Sequence, residues 1–276
     1  MAKSNYSLSE TQIAKRIKGG RGSGSGTDYS PWVRVDEVPS LGRSRQVYSH
    51  LTKRIHHLLS DLEFAVFLLL DNNPSVTDIR EQFPLIRDDT RDIARENNLP
   101  HPANNGVDTV MSSDFLVDST DKSEPKFVLQ AKYTDNFGDA RTIEKLEIER
   151  RYWKQKELPW YLVTEREIDP VAKANIDWLY VVKGELESGD KVLTASSLAM
   201  FKAVVADNPG LNIIELCKAI DRAYDLELGE SLYDLRVLCA SRVITFDVRK
   251  PFRRLSGKDF TCYELESLGG AVNVAS

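Results

Sequence analysis

The sequence predicts an α/β fold, a mixed sheet flanked by helices over residues 1–167, followed by a mainly helical unit over residues 168–276. Three observations lead there. Short apolar runs with strand character (VTDIREQF, DTVMSSDFLVD, KFVLQAK, LPWYLVT) are interleaved with helical periodicities, which is the signature of helices laid on a sheet. After Asp169-Pro170 the pattern turns helical, placing a boundary near residue 167. The composition, 41% hydrophobic and 29% charged over 276 residues, is that of a globular chain long enough for two modest domains.

An opening helix is predicted from Ser9 to Lys18, with Ile13 and Ile17 at i, i+4 spacing. The glycine-rich GGRGSGSGTDYS, Gly19 to Ser30, reads as a flexible linker; no strand precedes it and no Gly-Lys-Ser/Thr follows, so it is not a phosphate loop. SDLEFAVFLLLD is apolar almost all round and so predicts a buried helix. VTDIREQF is a strand interrupted by polar residues, and DDTRDIARENN a helix ended by the loop that Pro100 and Pro102 punctuate. DTVMSSDFLVD (Asp108 to Asp118) and KFVLQAK form a hairpin through Asp118-Ser119-Thr120-Asp121. TDNFGDA is a loop, RTIEKLEIERRYWKQKE a long helix and LPWYLVT a short buried strand. Helices follow at 171–183, 191–206, 211–223 and 229–241, then the alternating strand VITFDV (Val243 to Val248) and a basic tail. Helix, turn, helix, strand is the outline of a winged-helix module.

The net charge of −5 hides a polarity. Residues 1–60 hold ten Lys/Arg against four Asp/Glu, a balance of +6, so the remaining 216 residues carry −11. A basic arm on an acidic body suits a polyanion, although a solvated basic surface gives the same composition. No apolar run approaches the roughly 20 residues of a membrane span, and MAKSNYSLSETQIAKRIKGG lacks the apolar core of a secretory signal. Cys217, Cys239 and Cys262 are widely spaced without a CxxC pair, which argues against a disulfide framework or a cysteine-zinc site and fits the cytoplasm.

Four side chains could carry chemistry. Glu63 lies in an apolar helix, where a carboxylate is costly unless paired or bound to metal; Ser60-Asp61-Leu62-Glu63 also matches a capping box, and both readings stay open. Asp114 interrupts an apolar strand, with alternation placing it and Leu116 on one face and Ser113, Phe115 and Val117 on the other. Gln130 and Lys132, two apart at the next strand's end, share a face that the hairpin brings to Asp114. Metal-dependent nucleases end a core strand in this way, with a carboxylate where this chain has Gln130. Oxygen donors of this kind suit two Mg²⁺ ions, with Glu63, Asp114, the Gln130 side-chain oxygen and the Ala131 carbonyl as ligands and Lys132 beside the attacking water. On the long helix Lys145/Glu149 and Glu147/Arg151 read as solvated ion pairs, with Glu149 a candidate support for the site.

The segments YSHLTKRIHHLLSDLE, DIREQFPL, MSSDFLVD, Gln130-Ala131-Lys132, RTIEKLEIERRYW and NIIELCKAIDRAYDLELGESLYDLR closely resemble the TnsA family, the endonuclease subunits of heteromeric cut-and-paste bacterial transposases. The resemblance spans nearly the whole chain. It implies a restriction-endonuclease-like (PD-(D/E)xK) catalytic domain, with Glu63, Asp114, Gln130 and Lys132 as the catalytic set and Mg²⁺ as cofactor, Mn²⁺ substituting. It also implies cutting of the non-transferred strand of double-stranded DNA at transposon ends. The implied partners are a TnsB-like DDE transposase, which cuts and joins the other strand, and a TnsC-like ATPase regulator docked on the second domain. Glu227, Glu230 and Asp234 against Arg236 and Arg242 make LELGESLYDLRVLCASR too acidic for a major-groove helix, which agrees with a protein contact there. The competing readings are a free-standing restriction or repair nuclease, and a non-catalytic assembly factor in which Gln130 marks a lost metal site.

Overall fold

The computed structural model describes residues 7–38, 43–188, 193–263 and 274–275. The chain divides into two compact units, Met1–Ile168 and Asp169–Ser276.

The first unit opens with α1 (Glu10–Lys18), whose N-cap Ser9 and Gln12 form a reciprocal capping box. A hairpin of β1 (Arg45–Tyr48) and β2 (Ile55–Leu58) precedes the buried α2 (Asp61–Asn72), in which Phe67 and Leu68 are fully enclosed. Then come β3 (Val76–Pro84), α3 (Arg87–Glu96), the short pair β4 (Ala103–Asn104) and β5 (Val107–Asp108), β6 (Ser112–Ser119), β7 (Lys126–Ala131), α4 (Ala140–Gln155) and β8 (Trp160–Val163). The sheet has the order β3-β6-β7-β8, antiparallel except for the parallel pair β7/β8. It is therefore mixed, with α3 and α4 sharing a core with Leu116 and Val128 through Ile93, Ile148, Tyr152 and Trp153. The prediction differs in detail at four places. Asp108 belongs to the β4/β5 pair and β6 starts only at Ser112; the β6–β7 connection runs on to Pro125; TDNFGDA is wound into a 3₁₀ turn, Thr134–Gly138; and β8, at the far edge of the sheet, is half-buried rather than buried, with Tyr161 exposed.

The glycine-rich segment is not a flexible linker. It is a folded strap along β3, an edge of the sheet. Trp32 N–H donates to the Gln82 carbonyl at 3.2 Å, Tyr29 Oη to the Glu81 carbonyl at 3.0 Å, and Gly26 N–H to Asp78 Oδ2 at 3.2 Å. Gly24 sits at φ 92°, where an added Cβ would lie 2.5 Å from the Asp28 carbonyl oxygen. Glycine is used here for close backbone approach rather than for flexibility, and the covered edge is closed to pairing with another chain. Behind the strap, Arg54 grips Glu81 through two hydrogen bonds of 2.9 and 2.6 Å, and His56 Nδ1 lies 2.8 Å from the same carboxylate. Burial works to raise the Glu81 pKa, but His56 and Arg54 outweigh it and hold the group at about 2. Arg16 and Arg21 pair with Glu37, and Arg45 with Asp61. The basic arm is thus less available to a polyanion than its composition suggests; its first six residues and residues 39–42 lie outside those described.

The second unit contains α5 (Pro170–Ser188), β9 (Leu193–Thr194), α6 (Ala195–Asp207), α7 (Ile213–Ala223), α8 (Glu230–Ala240), β10 (Ile244–Thr245), β11 (Thr261–Cys262) and β12 (Val274–Ala275). Residues 191 and 192, where the sequence begins the second of these helices, lie outside those described. Leu179, Val182, Phe201, Leu216, Ile220, Leu235 and Leu238 form the unit's own core. VITFDV contributes Ile244 and Thr245 to pairing with β11, and the Val243 carbonyl accepts from Tyr263 N–H at 2.8 Å. All three cysteines are free, and among the described residues no helix is long and apolar enough to cross a membrane.

Candidate active site

The β6/β7 ladder pairs Phe115 with Leu129, which brings Asp114 opposite Gln130 at the next step. There side chains replace the backbone partners. Gln130 Oε1 accepts from Asp114 N–H at 3.0 Å, and Asp114 Oδ2 accepts from Ala131 N–H at 2.8 Å. The strand ends are thereby held apart with their backbone donors satisfied, as burial requires. Gln130 is 5% exposed and Asp114 6%.

Glu63 enters this place from the first turn of α2. Its backbone N–H donates to the N-cap Ser60 Oγ at 3.1 Å, while its carboxylate accepts from Ser60 Oγ at 3.0 Å and from Leu59 N–H at 2.9 Å. The capping arrangement is formed, reaching one residue further back than the usual box, and it fixes the carboxylate beside Asp114. The two readings of Glu63 are compatible. Burial, then the charge of Asp114, pushes the Glu63 pKa up to about 8. Burial also raises Asp114, against the pull of Lys132 and of the hydrogen bonds from Ala131, Gln82 and Gln130. Lys132 is raised in turn, chiefly by Asp114. Two carboxylates that burial makes reluctant to ionise, beside one ammonium, form a site that a further cation would relieve.

Glu149 does not lie on a solvated ion-pair face with Lys145. It is 3% exposed and turns inward, accepting from Ser113 Oγ at 2.6 Å and from Trp160 Nε1 at 3.0 Å. The Glu147–Arg151 pair does form, at 2.6 Å. Ser113 also accepts from Trp153 Nε1 at 2.8 Å, so Ser113 reaches α4 as Leu116 does. Two residues three apart cannot share a face in a regular strand. The alternation read from the sequence therefore slips at Asp114.

Gln130, Lys132 and Glu149 open onto a cleft of about 480 Å³ that is also lined by Leu59, Asn104, Arg141, Thr142 and Lys145. Its polar wall carries Lys132 and Lys145 against one buried acid, a balance that suits a phosphate backbone, whereas Arg141 is paired with Glu144 at 2.6 Å and bonded to the Pro100 and His101 carbonyls. Among the described residues no three His, Cys, Asp or Glu side chains gather as a metal site; here a donor set would comprise two carboxylates, an amide oxygen and a carbonyl.

The comparisons with known proteins bear on this arrangement. Residues 73–165 match the model of the TnsA-like endonuclease N-terminal domain, and residues 167–248 that of the TnsA endonuclease C-terminal domain. The chain is 54% identical over 253 residues, 92% of each chain, to the transposon Tn7 transposition protein TnsA of Escherichia coli. The chain belongs to the TnsA endonuclease family. It is an endonuclease component of a transposase, as the family resemblance in the sequence implied.

For a TnsA-family chain the sequence missed one residue in particular. Gln82 lies across from Asp114, between the registered pairs Glu81–Phe115 and Phe83–Ser113, and its Nε2 donates to Glu63 Oε2 at 3.1 Å. The signal was present but weak: a Gln in the middle of a strand whose other polar residues pair elsewhere.

Proposed function

We propose that Glu63, Asp114, Gln130 and Lys132 form the active site of a Mg²⁺-dependent DNA endonuclease that hydrolyses the non-transferred strand at each transposon end. A TnsB-like DDE transposase would cut and join the other strand, and a TnsC-like ATPase would regulate the assembly. The observation that carries this reading is the burial of Glu63 and Asp114 together, at raised pKa, against Lys132 at the edge of a basic cleft. The order β3-β6-β7-β8 with its one parallel pair is consistent with a restriction-endonuclease-like core.

The donors present fit a hard divalent cation, since they are all oxygens and their buried negative charge is only partly offset. Glu63 and Asp114 would hold the metal, with the Ala131 carbonyl and Gln130 Oε1, whose second lone pair is left by its bond to Asp114 N–H. When bound, such an ion supplies Lewis-acid activation of the phosphate and a more acidic water. The Lys132 ammonium, kept protonated by Asp114, orients the attacking water and offsets charge on the phosphate oxygens. Lys145 in the cleft wall would hold the flanking backbone.

The second unit has a winged-helix-like order of α6, α7, α8 and the β10/β11 pair. Its α7–α8 connection presents Asp225, Glu227 and Leu228, with Leu228 84% exposed, and α8 opens on the exposed Glu230, whereas Arg236 turns in to the Trp178 carbonyl. An acidic turn with an exposed leucine favours a protein partner over DNA, and the regulator is the partner we assign to it.

The test is cleavage in the assembled system. Transposon-end DNA, the DDE transposase and the ATPase are combined with wild-type chain or Asp114→Ala in Mg²⁺. Non-transferred-strand cutting should fall at least about 100-fold in the variant while 3′-end joining persists. Undiminished cutting by Asp114→Ala would place the chemistry elsewhere.

A further inference from the structure

Gln82 is 4% exposed in the middle of β3, yet its φ is 48°, in the left-handed region that a strand residue with a side chain avoids. Such strain persists only where the surroundings over-determine it. Here they do so from both sides. The kink turns the Gln82 carbonyl outward, where it accepts from Trp32 N–H of the strap at 3.2 Å. It turns the side chain inward between the two carboxylates. There Nε2 donates to Glu63 Oε2 at 3.1 Å and Oε1 accepts from Ser112 Oγ at 3.3 Å, while the residue stands across from Asp114 in the β3/β6 register. A primary amide has two donors and no charge, so one group can serve two neighbouring carboxylates without adding to their repulsion. A glutamate at this place would repel both, and a lysine would fill the place of a cation.

We propose that Gln82 is a positioning residue that holds Glu63 and Asp114 at the separation and orientation needed to share a metal, and that the docked strap locks it there through Trp32. This rests on the metal-site reading above. The strap's role follows from the same residue: its carbonyl accepts from Trp32 N–H while its side chain bonds Glu63. Orientation of ligands by an outer hydrogen bond is worth about 10–100-fold in metal affinity or activity where it has been removed from other sites.

Two full-length variants test the role. Gln82→Met keeps the shape and removes the donors; Gln82→Gly removes the side chain and releases the φ strain. The Mn²⁺-dependent rise in melting temperature of the chain is measured, together with the Mn²⁺ concentration that half-saturates cleavage in the assembled complex. Both variants should need about 10-fold more Mn²⁺ in each measurement, with most of the cleavage rate returning at saturating metal. Gln82→Gly should melt no lower than Gln82→Met in the absence of metal. Unchanged half-saturation with a lower melting temperature or a lower maximal rate would overturn the proposal, because a purely structural role changes the amount of active protein and not its demand for metal. Cutting by Asp114→Ala, or wild-type cutting that needs no divalent cation, would instead overturn the metal-site reading on which the proposal stands.

Discussion

Glu149 sits 3% exposed against Ser113 and Trp160, and burial pushes its pKa up to about 8 from the ordinary 4.5. Between those values the folded chain keeps a proton that the unfolded chain has lost. Stability therefore falls as pH rises through this window. Glu149→Gln, neutral throughout and of the same shape, should flatten that dependence. We expect the wild type to lose on the order of 2 kcal/mol more than the variant between pH 5 and pH 8, read from urea midpoints at each pH. Parallel losses in the two proteins would contradict the assignment. The residue also marks the limit of reading side chains one at a time. Spacing paired Glu149 with Lys145 on a solvated face, because periodicity gives the neighbours on one helix and not the strand beneath it. Glu63, Asp114, Gln130 and Lys132 were legible because each is a polar residue in an apolar run, where burial without a purpose is costly. Gln82 was not singled out, because a left-handed kink leaves no mark in a sequence unless it falls on glycine or asparagine.

At the scale of elements, β3 is where the first unit is tied together. The strap runs along it, the β1/β2 hairpin reaches it through Arg54 and His56, and Glu81 receives both side chains while fully enclosed itself. Its pKa of about 2 means that the Glu81 contribution is present above the ordinary 4.5 and is lost as pH falls through 2. Glu81→Gln leaves the Arg54 guanidinium buried without its counter-charge, so it should cost about 3–5 kcal/mol at neutral pH. The cost should appear as a lower urea midpoint, accompanied by faster amide exchange at Trp32, whose N–H bonds β3. A cost below about 1 kcal/mol would show that the cluster does not hold the elements together. The strand itself was plain from VTDIREQF, and of its polar interruptions Glu81 is the clamp for Arg54 and Gln82 bonds Glu63. The strap was misread for a physical reason. Glycine signals both flexibility and close approach, and only the partner surface separates them.

For the whole molecule, each unit encloses its own apolar cluster, and the chain divides between Ile168 and Asp169. Units with separate cores can fold separately. A fragment ending at Ile168 should therefore give a cooperative melt of its own and a near-ultraviolet dichroism like that of the first unit in the intact chain. A fragment without a cooperative transition would mean that the second unit is part of its fold. In the assembled system this fragment should retain the site but lose response to the ATPase, whose docking we place on the α7–α8 turn. By itself the sequence determined the succession of elements, the change to helix after Asp169-Pro170 and the family, because periodicity, turn residues and long ordered similarity are local properties of the chain. It also indicated which polar residues were too costly to be idle. Only the tertiary structure decided how those residues are satisfied: the Ser60 cap that aims Glu63, the side-chain bonds that replace the ladder at Asp114 and Gln130, the inward turn of Glu149, and the strap that sets Gln82 between two carboxylates. Each depends on groups far apart in sequence meeting in a space from which water is excluded. There an unpaired donor or charge costs far more than it does in water, so the packing of the whole unit, and no single segment, selects the arrangement.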